Sequence, residues 1–257
     1  MQATILEDVD LIADTLAGTL GAGIETGRGL NGYRASRVIK RDGETLARVL
    51  FGGNGNPHLI ATGAATDEVV PVLRAAWSGE HDVSRMDSAQ DFEQVGGYDR
   101  LRGVMLAKAE SAKLSTLQME STRNLIRSRT TYLGSPSSRV RVRLYEKGCF
   151  EHQMGHSDAS LDWVRLEAQI RPSGLGRRIA AELDPAGAWG FAAWTRDLAR
   201  DALGVNVERV TSRPRREPDY MRAVRALRRQ YGATLAEVLE VEGSWDAVGR
   251  LLGMVDS

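Results

Sequence analysis

The chain has 257 residues, 42% of them hydrophobic and 26% charged, with 34 basic side chains against 34 acidic ones and a net charge of zero. This is the composition of an ordinary globular protein with enough chain for a sizeable core, and its balance excludes capture of a polyanion by bulk charge alone. No apolar run reaches membrane-spanning length, and the opening MQATILEDVDL lacks the basic-then-apolar layout of a secretory signal. The single cysteine, Cys149, excludes an internal disulfide. The expected setting is therefore a reducing cytoplasm, without a membrane partner.

Leu6 to Leu20 spaces Leu6, Val9, Ile12, Ala13 and Leu16 as an amphipathic helix does, and glycines then punctuate the chain through Gly32. RASRVIKRDGETLARVLFGG reads as a hairpin turning at Asp42-Gly43, and HLIATG as a third short strand. Thr66 is placed to cap a helix over DEVVPVLRAAW, with Pro71 early in it or kinking it. Residues 82–92 read as a strand, about Tyr98 to Lys113 as a helix, and TTYLG and RVRVRLYEKG as strands. HQMGHSD reads as a loop leading to the strand LDWVRLEAQIRP, which Pro172 closes. From Gly174 onward the pattern is helical, with PDYMRAVRALRRQYG, TLAEVLEVEG and SWDAVGRLLGMV as three separate helices. The expected fold class is α+β: antiparallel sheet(s) with packed helices and a helical C-terminal tail, divided into a core over 1–172 and a helical region over 173–257. An echo between residues 32–53 and Tyr132–Gly148, and another between Arg85-x-Asp87 and Arg165-x-Glu167, is compatible with a duplicated β-rich half.

Charge is unevenly distributed. Residues 121–150 carry Arg123, Arg127, Arg129, Arg139, Arg141, Arg143 and Lys147 against Glu146 alone. Residues 211–230 carry seven arginines against Glu217 and Asp219, while the first 120 residues are net acidic. Two basic blocks in a neutral chain suit a local polyanion groove; they read equally as two solvated faces.

A strand has a period of two. Val140, Val142 and Leu144 therefore share one face, and Arg139, Arg141, Arg143, Tyr145 and Lys147 the other. In the Trp163–Arg171 stretch, Val164, Leu166, Ala168 and Ile170 oppose Arg165, Glu167, Gln169 and Arg171; the same parity groups Arg85, Asp87 and Asp91. A tyrosine at the end of a cationic stripe, with carboxylates close by, has what strand cleavage through a phenol needs. The phenol attacks phosphorus, arginines hold the backbone phosphates, and a carboxylate-bound divalent cation polarises a phosphoryl oxygen. The bland alternative is a solvated strand face with ordinary ion pairs, in which Glu167 and Asp87 pair with Arg165 and Arg85.

TTYLGSPSSRVRVRLYEKG followed by DWVRLEAQIR, with Arg85-Met86-Asp87 and Asp91 ahead of them, resembles the replication initiation factor family, the initiators of rolling-circle plasmids and phages. GYRASRVI, GGNGNPHLIATG and RQYGATLAEVL add to a likeness running from about Gly32 to Leu239. The resemblance implies a metal-dependent enzyme that nicks and rejoins one origin strand through a 5′-phosphotyrosyl intermediate. It makes Tyr145 the nucleophile with Lys147 beside the scissile phosphate. Asp87, Glu167 and Asp91 become ligands of Mg²⁺ or Mn²⁺, and Arg139, Arg141, Arg143 and Arg165 become DNA contacts. The implied partners are single-stranded or hairpin origin DNA, a host helicase and a polymerase, with a homodimer as one expected assembly. The family begins with a strand ahead of its first helix, whereas this chain reads as opening almost directly on the helix. The alternative is a non-catalytic origin-binding or regulatory protein on the same scaffold.

Other motifs carry less. His152-x-x-x-His156 lacks the glutamate that zinc hydrolases place after the first histidine, there is no His-hydrophobe-His triplet, and GGNGNPH lacks the Gly-Lys-Ser/Thr of a phosphate-binding loop. Cys149 has no evident base partner. In the basic helix, Met221, Val224, Ala226 and Leu227 are set to face a core, with Arg222, Arg225, Arg228 and Arg229 opposite.

Overall fold

The computed structural model describes the backbone of residues 1–53, 55–210 and 219–253, with the side chains of 219–226, 228–230 and 233 outside the description. Two compact units emerge, Met1–Ser212 and Arg213–Ser257. The first contains ten strands in one antiparallel sheet, ordered β2-β3-β4-β5-β1-β6-β10-β9-β8-β7. In chain order these are β1 (Gln2–Ile5), β2 (Gly23–Arg28), β3 (Ala35–Arg41), β4 (Glu44–Phe51), β5 (His58–Ile60), β6 (His81–Glu93), β7 (Thr116–Arg123), β8 (Ile126–Leu133), β9 (Val140–Tyr145) and β10 (Trp163–Ile170). The helices of this unit are α1 (Val9–Leu20), α2 (Ala65–Ala76), α3 (Gly97–Ser111), α4 (Lys147–Met154), α5 (Gly176–Glu182), a 3-10 turn at Ala186–Phe191, and α6 (Ala193–Leu203). The α+β class with an antiparallel sheet stands. The unit ending at Ser212 takes in α5, the 3-10 turn and α6, which follow residue 172.

The element order repeats. β1-α1-β2-β3-β4-β5-α2 is followed by β6-α3-β7-β8-β9-β10-α5, with α4 inserted before β10. The sheet order is mirrored about the central β1–β6 pair, which is antiparallel. The echo between residues 32–53 and 132–148 does not follow this repeat: the first span covers β3 and β4, the second only the last two residues of β8, then β9 and the start of α4. Nor does the echo between Arg85 and Arg165, since β6 matches β1 and β10 matches β5.

Alternation on the strands decides what is buried. Leu144, Val142, Val164, Leu166, Ala168 and Ile170 form one cluster with Leu101 and Met105 of α3, Ala180 of α5, Trp189 of the 3-10 turn and Leu198 of α6. Ile39, Ala47, Val49 and Leu59 form a second with Ile12 and Leu16 of α1 and Leu73 of α2. Ala3 belongs to the first and Ile5 to the second, so one face of β1 joins both. Two buried polar pairs are matched inside this layer: Tyr98 Oη and Thr131 Oγ1 share a 2.8 Å hydrogen bond, and Trp189 Nε1 donates to Ser88 Oγ at 3.1 Å.

Several expectations change. A strand, β1, does precede α1, pairing with both β5 and β6; four residues between two longer partners leave almost no periodic signal. Edge strands β2 and β7 were not anticipated, because nearly every residue in them is exposed and no alternation marks them. HQMGHSD begins inside α4 and not in a loop. The α2 cap position is Ala64, so Thr66 caps nothing, and Pro71 lies inside the helix. In the second unit, α7 (Asp219–Glu242) is one helix where two were expected, followed by α8 (Trp245–Leu251). The expected faces of α7 lie outside the described side chains except for Leu227, which is 48% exposed and does not face a core. No helix among the described residues is long and apolar enough to cross a membrane.

Leu166 is fully buried at the centre of the larger cluster. Leu166→Ala should cost about 2–5 kcal/mol, read as a lowered midpoint in urea unfolding at unchanged slope.

Candidate functional site

The face of the sheet opposite the helical layer carries the chemistry. β10 pairs with β9 so that Arg165 lies opposite Tyr145, Glu167 opposite Arg143 and Gln169 opposite Arg141. It pairs with β6 so that Arg165 lies opposite Asp91, Glu167 opposite Ala89 and Gln169 opposite Asp87. On the far side of β9, Thr130 faces Tyr145 and Tyr132 faces Arg143. One row thus reads Asp91–Arg165–Tyr145–Thr130, and the next Ala89–Glu167–Arg143–Tyr132. The predicted residues Tyr145, Arg143, Arg141, Arg165, Glu167, Asp87 and Asp91 do share this face. Arg139 precedes β9 and is exposed, and its carbonyl accepts from the Arg171 amide at 2.7 Å.

Lys147 reaches the site by another route. The strand ends at Tyr145, Glu146 turns the backbone (φ −74°, ψ 86°), and Lys147 opens α4. Its ammonium bonds the Glu151 carboxylate one turn on and lies 5.4 Å from both the Phe150 and Trp163 ring centroids. Gly148 is required here: a β-carbon would come within 1.7 Å of the Ser160 carbonyl oxygen, so any larger residue would push α4 away. Gln153 ties the other end of α4, donating to the carbonyls of Ser121 and Ile126 at 3.1 and 2.8 Å. So held, α4 sets Phe150 edge-on to Tyr145, with centroids 6.3 Å apart.

Tyr145 is only 7% exposed. Burial pushes its phenol above the ordinary tyrosine range, while the guanidiniums of Arg143 and Arg165 pull the other way. The Arg143 guanidinium carbon lies 4.2 Å from the Tyr145 ring centroid, and that of Arg141 lies 3.7 Å from Tyr132. A cavity of about 280 Å³ opens beside the phenol, lined by Tyr132, Tyr145, Phe150, Arg143, Thr130 and Met119 among others. Tyr132, on the preceding strand, stands within the cationic stripe, because β8 pairs with β9 directly across from Arg143.

Every carboxylate of the set is held by arginine. Asp87 accepts from Arg85 Nε at 2.9 and 3.0 Å, and Asp91 accepts from Arg165 Nε and Nη2, both at 2.7 Å, and from Trp163 Nε1 at 2.8 Å. Partial burial raises the Asp91 carboxyl, but these donors outweigh it and hold it below the usual range. Glu167 accepts from Arg143 Nη2 at 2.8 Å and from Gln169 Nε2 at 2.9 Å. Arg85 and Asp87 pair as the bland reading expected; Arg165, however, takes Asp91 and leaves Glu167 to Arg143. Glu167 sits one row from Asp91 and one from Asp87, diagonal to each at roughly 7–8 Å, and the two aspartates lie four residues apart on β6, about 13 Å. Among the described residues no three His, Cys, Asp or Glu side chains stand together as a cation site. As arranged, these carboxylates fit guanidinium partners and do not fit a shared Mg²⁺ or Mn²⁺.

His152 bonds the Ala159 carbonyl at 2.7 Å, closing the loop after α4. Cys149 lies beside the Leu161 carbonyl, its thiol raised by burial. Neither joins the Tyr145 row.

The repeat in the fold isolates what is particular to this half. On the polar face of the N-terminal half, one row across β1, β5, β4 and β3 reads Thr4–His58–Leu50–Ser36. It holds no tyrosine and no carboxylate–arginine pair.

No family model and no curated protein matches the sequence. Among solved structures, the chain is similar to a rolling circle replication initiator protein from Geobacillus stearothermophilus, at 17% identity over 83% of this chain and 97% of that one, with a TM-score of 0.53. At that identity the likeness is one of fold.

Glu167 supplies a direct check on the ion pairs. Glu167→Gln leaves Arg143, itself half-covered, without its counter-charge, and stability should fall by about 1–2 kcal/mol after allowance for solvent screening. Adding Mn²⁺ to the unchanged protein should leave Tm where it was. A Mn²⁺-dependent rise in Tm that Glu167→Gln abolishes would instead place a cation at this carboxylate.

Proposed function

We propose that the protein initiates rolling-circle DNA replication by nicking and rejoining one origin strand through Tyr145. The observation that carries this reading is the row itself: a phenol between two guanidiniums at the end of an arginine-lined strand face, with a cavity beside it. The likeness in fold to a rolling circle replication initiator supports it. Tyr145 Oη would lose its proton and attack phosphorus, forming an O–P bond as the P–O3′ bond breaks. The leaving 3′-oxygen takes up a proton and primes synthesis, and the 5′-phosphate stays esterified to the tyrosine until a 3′-hydroxyl reverses the step. Arg143 and Arg165 would stabilise both the phenolate and the charge gathering on the phosphoryl oxygens. Lys147, between Phe150 and Trp163, would hold the neighbouring phosphate, and Arg139 and Arg141 the strand beyond it. No step in this scheme runs through a divalent cation. Single-stranded or hairpin origin DNA is the proposed partner, with a helicase and polymerase acting on the exposed strand.

One observation favours a second reading, a DNA binder without cleavage: Tyr145 is buried, and its carboxylate neighbours are all neutralised. The deciding experiment is adduct formation on labelled single-stranded origin-like DNA. Tyr145→Phe should abolish a denaturation-resistant adduct while leaving DNA affinity within about twofold, since only one oxygen is lost and the ring still packs. Tyr132→Phe, in the same cavity, should still form it. An unchanged protein that binds DNA but never forms an adduct establishes the second reading.

The pH profile follows from burial of the phenol. With its pKa raised above the ordinary value of about 10, the reactive phenolate grows about tenfold per pH unit from 7 to 9. Single-turnover cleavage should rise with that slope. Arg143→Gln removes a cation that lowers the pKa, and should slow cleavage by the same factor across the range, leaving the slope unchanged. A flat profile would exclude phenolate attack as the limiting step.

A further inference from the structure

On the N-terminal half of the same unit, a polar pocket of about 490 Å³ is lined by Gln2, Tyr33, His58, Ser84, Arg85 and Arg171, among others. Two guanidiniums enter it and no carboxylate lines it. Arg171 is fixed by bonds to the Pro136 carbonyl at 2.8 Å and the Ser138 carbonyl at 3.5 Å, and Arg85 by Asp87. Tyr33 stacks on His58 with centroids 5.9 Å apart and planes 12° from parallel, and its hydroxyl donates to the Asn56 carbonyl at 3.3 Å. Burial, with the nearby Arg177 cation, holds His58 below the ordinary histidine range, so the imidazole under Tyr33 is neutral at pH 7.

The pocket lies on the same face of the sheet as Tyr145. Arg165 is the partner of Tyr145, and Arg171 follows it by six residues, about 20 Å at the rise of a strand. Asp91 to Arg85 on β6 covers the same span. Between the two sites stand Arg143 and Arg141, each with a buried Nε that has no hydrogen-bond partner. Each guanidinium stacks on a tyrosine ring, Arg143 on Tyr145 and Arg141 on Tyr132, and the two continue the cationic face from one site to the other.

We infer that this pocket is a second, non-cleaving site for the same DNA strand, in which Arg85 and Arg171 hold one backbone phosphate and the Tyr33–His58 stack receives a base. It rests on the reading that this face binds a single strand. The N-terminal half repeats the element order of the C-terminal one, and the Tyr33 hydroxyl in its pocket is engaged by the Asn56 carbonyl. A strand held at Tyr145 would cross Arg143 and Arg141 and reach the pocket after about three to six nucleotides, from an extended backbone to duplex spacing.

The test is a length series of fluorescent oligo-dT bound to the full chain, followed by anisotropy at fixed low salt. Affinity should rise stepwise, by about tenfold beyond the smooth trend, once the oligonucleotide is long enough to reach the pocket. Tyr33→Ala and Arg171→Ala should remove that step while leaving the shortest oligonucleotides unaffected, and Arg171→Lys should restore most of it. Because Arg171 also braces the β8–β9 turn, Arg85→Gln serves as the independent variant, with melting temperature measured for each. A smooth length dependence in the unchanged protein, or variants that weaken short and long oligonucleotides alike, would overturn the pocket. A step without any covalent adduct on origin-like DNA would uphold the pocket and overturn the cleavage reading instead.

Discussion

The register of β10 is the constraint on which the rest of the structure depends. Held between β6 and β9, this strand sends Val164, Leu166, Ala168 and Ile170 into the helical layer and Arg165, Glu167, Gln169 and Arg171 to the other side. A slip of one residue would bury the charged set and expose the apolar one, which the cost of unpaired buried charge forbids. The same register puts Arg165 between Asp91 and Tyr145, and Glu167 beside Arg143. The core and the site are two faces of one set of backbone hydrogen bonds.

On the polar face, charge is matched pair by pair. Three arginines neutralise three carboxylates, and the cations left over, Arg139, Arg141 and Arg171, give the face its positive excess. This is how a chain with no net charge presents a cationic track. The aromatic rings add shape to it: Arg141 over Tyr132, Arg143 over Tyr145 and Lys147 between Phe150 and Trp163 hold their cations flat against the sheet. Such stacking keeps guanidiniums in place with part of their donor capacity unspent, as the bare Nε atoms of Arg141 and Arg143 show.

Duplication gives the site its asymmetry. Two halves with one topology meet at the β1–β6 pair, yet only the C-terminal half combines a tyrosine, an arginine and a carboxylate in one row. The inserted α4, pinned by Gly148 and Gln153, exists only there and closes over the phenol. The two halves thus share a topology and differ in the side chains they set on the polar face.

By itself, the sequence determined the strand periodicity of β6, β9 and β10, and with it which side chains share the Tyr145 face. It also determined the Asp42-Gly43 hairpin, where both residues take positive φ. These are local patterns, repeated every two residues or confined to one turn, and need no knowledge of partners. Only the tertiary structure decided which arginine meets which carboxylate, because that depends on the register between strands some seventy residues apart in the chain, as for Arg165 and Asp91. It alone placed Tyr132 in the stripe, turned Lys147 onto a helix and separated the carboxylates into distinct ion pairs. Edge strands β2 and β7 were hidden for the converse reason: with neither face buried, nothing in their composition records the pairing that the backbone makes.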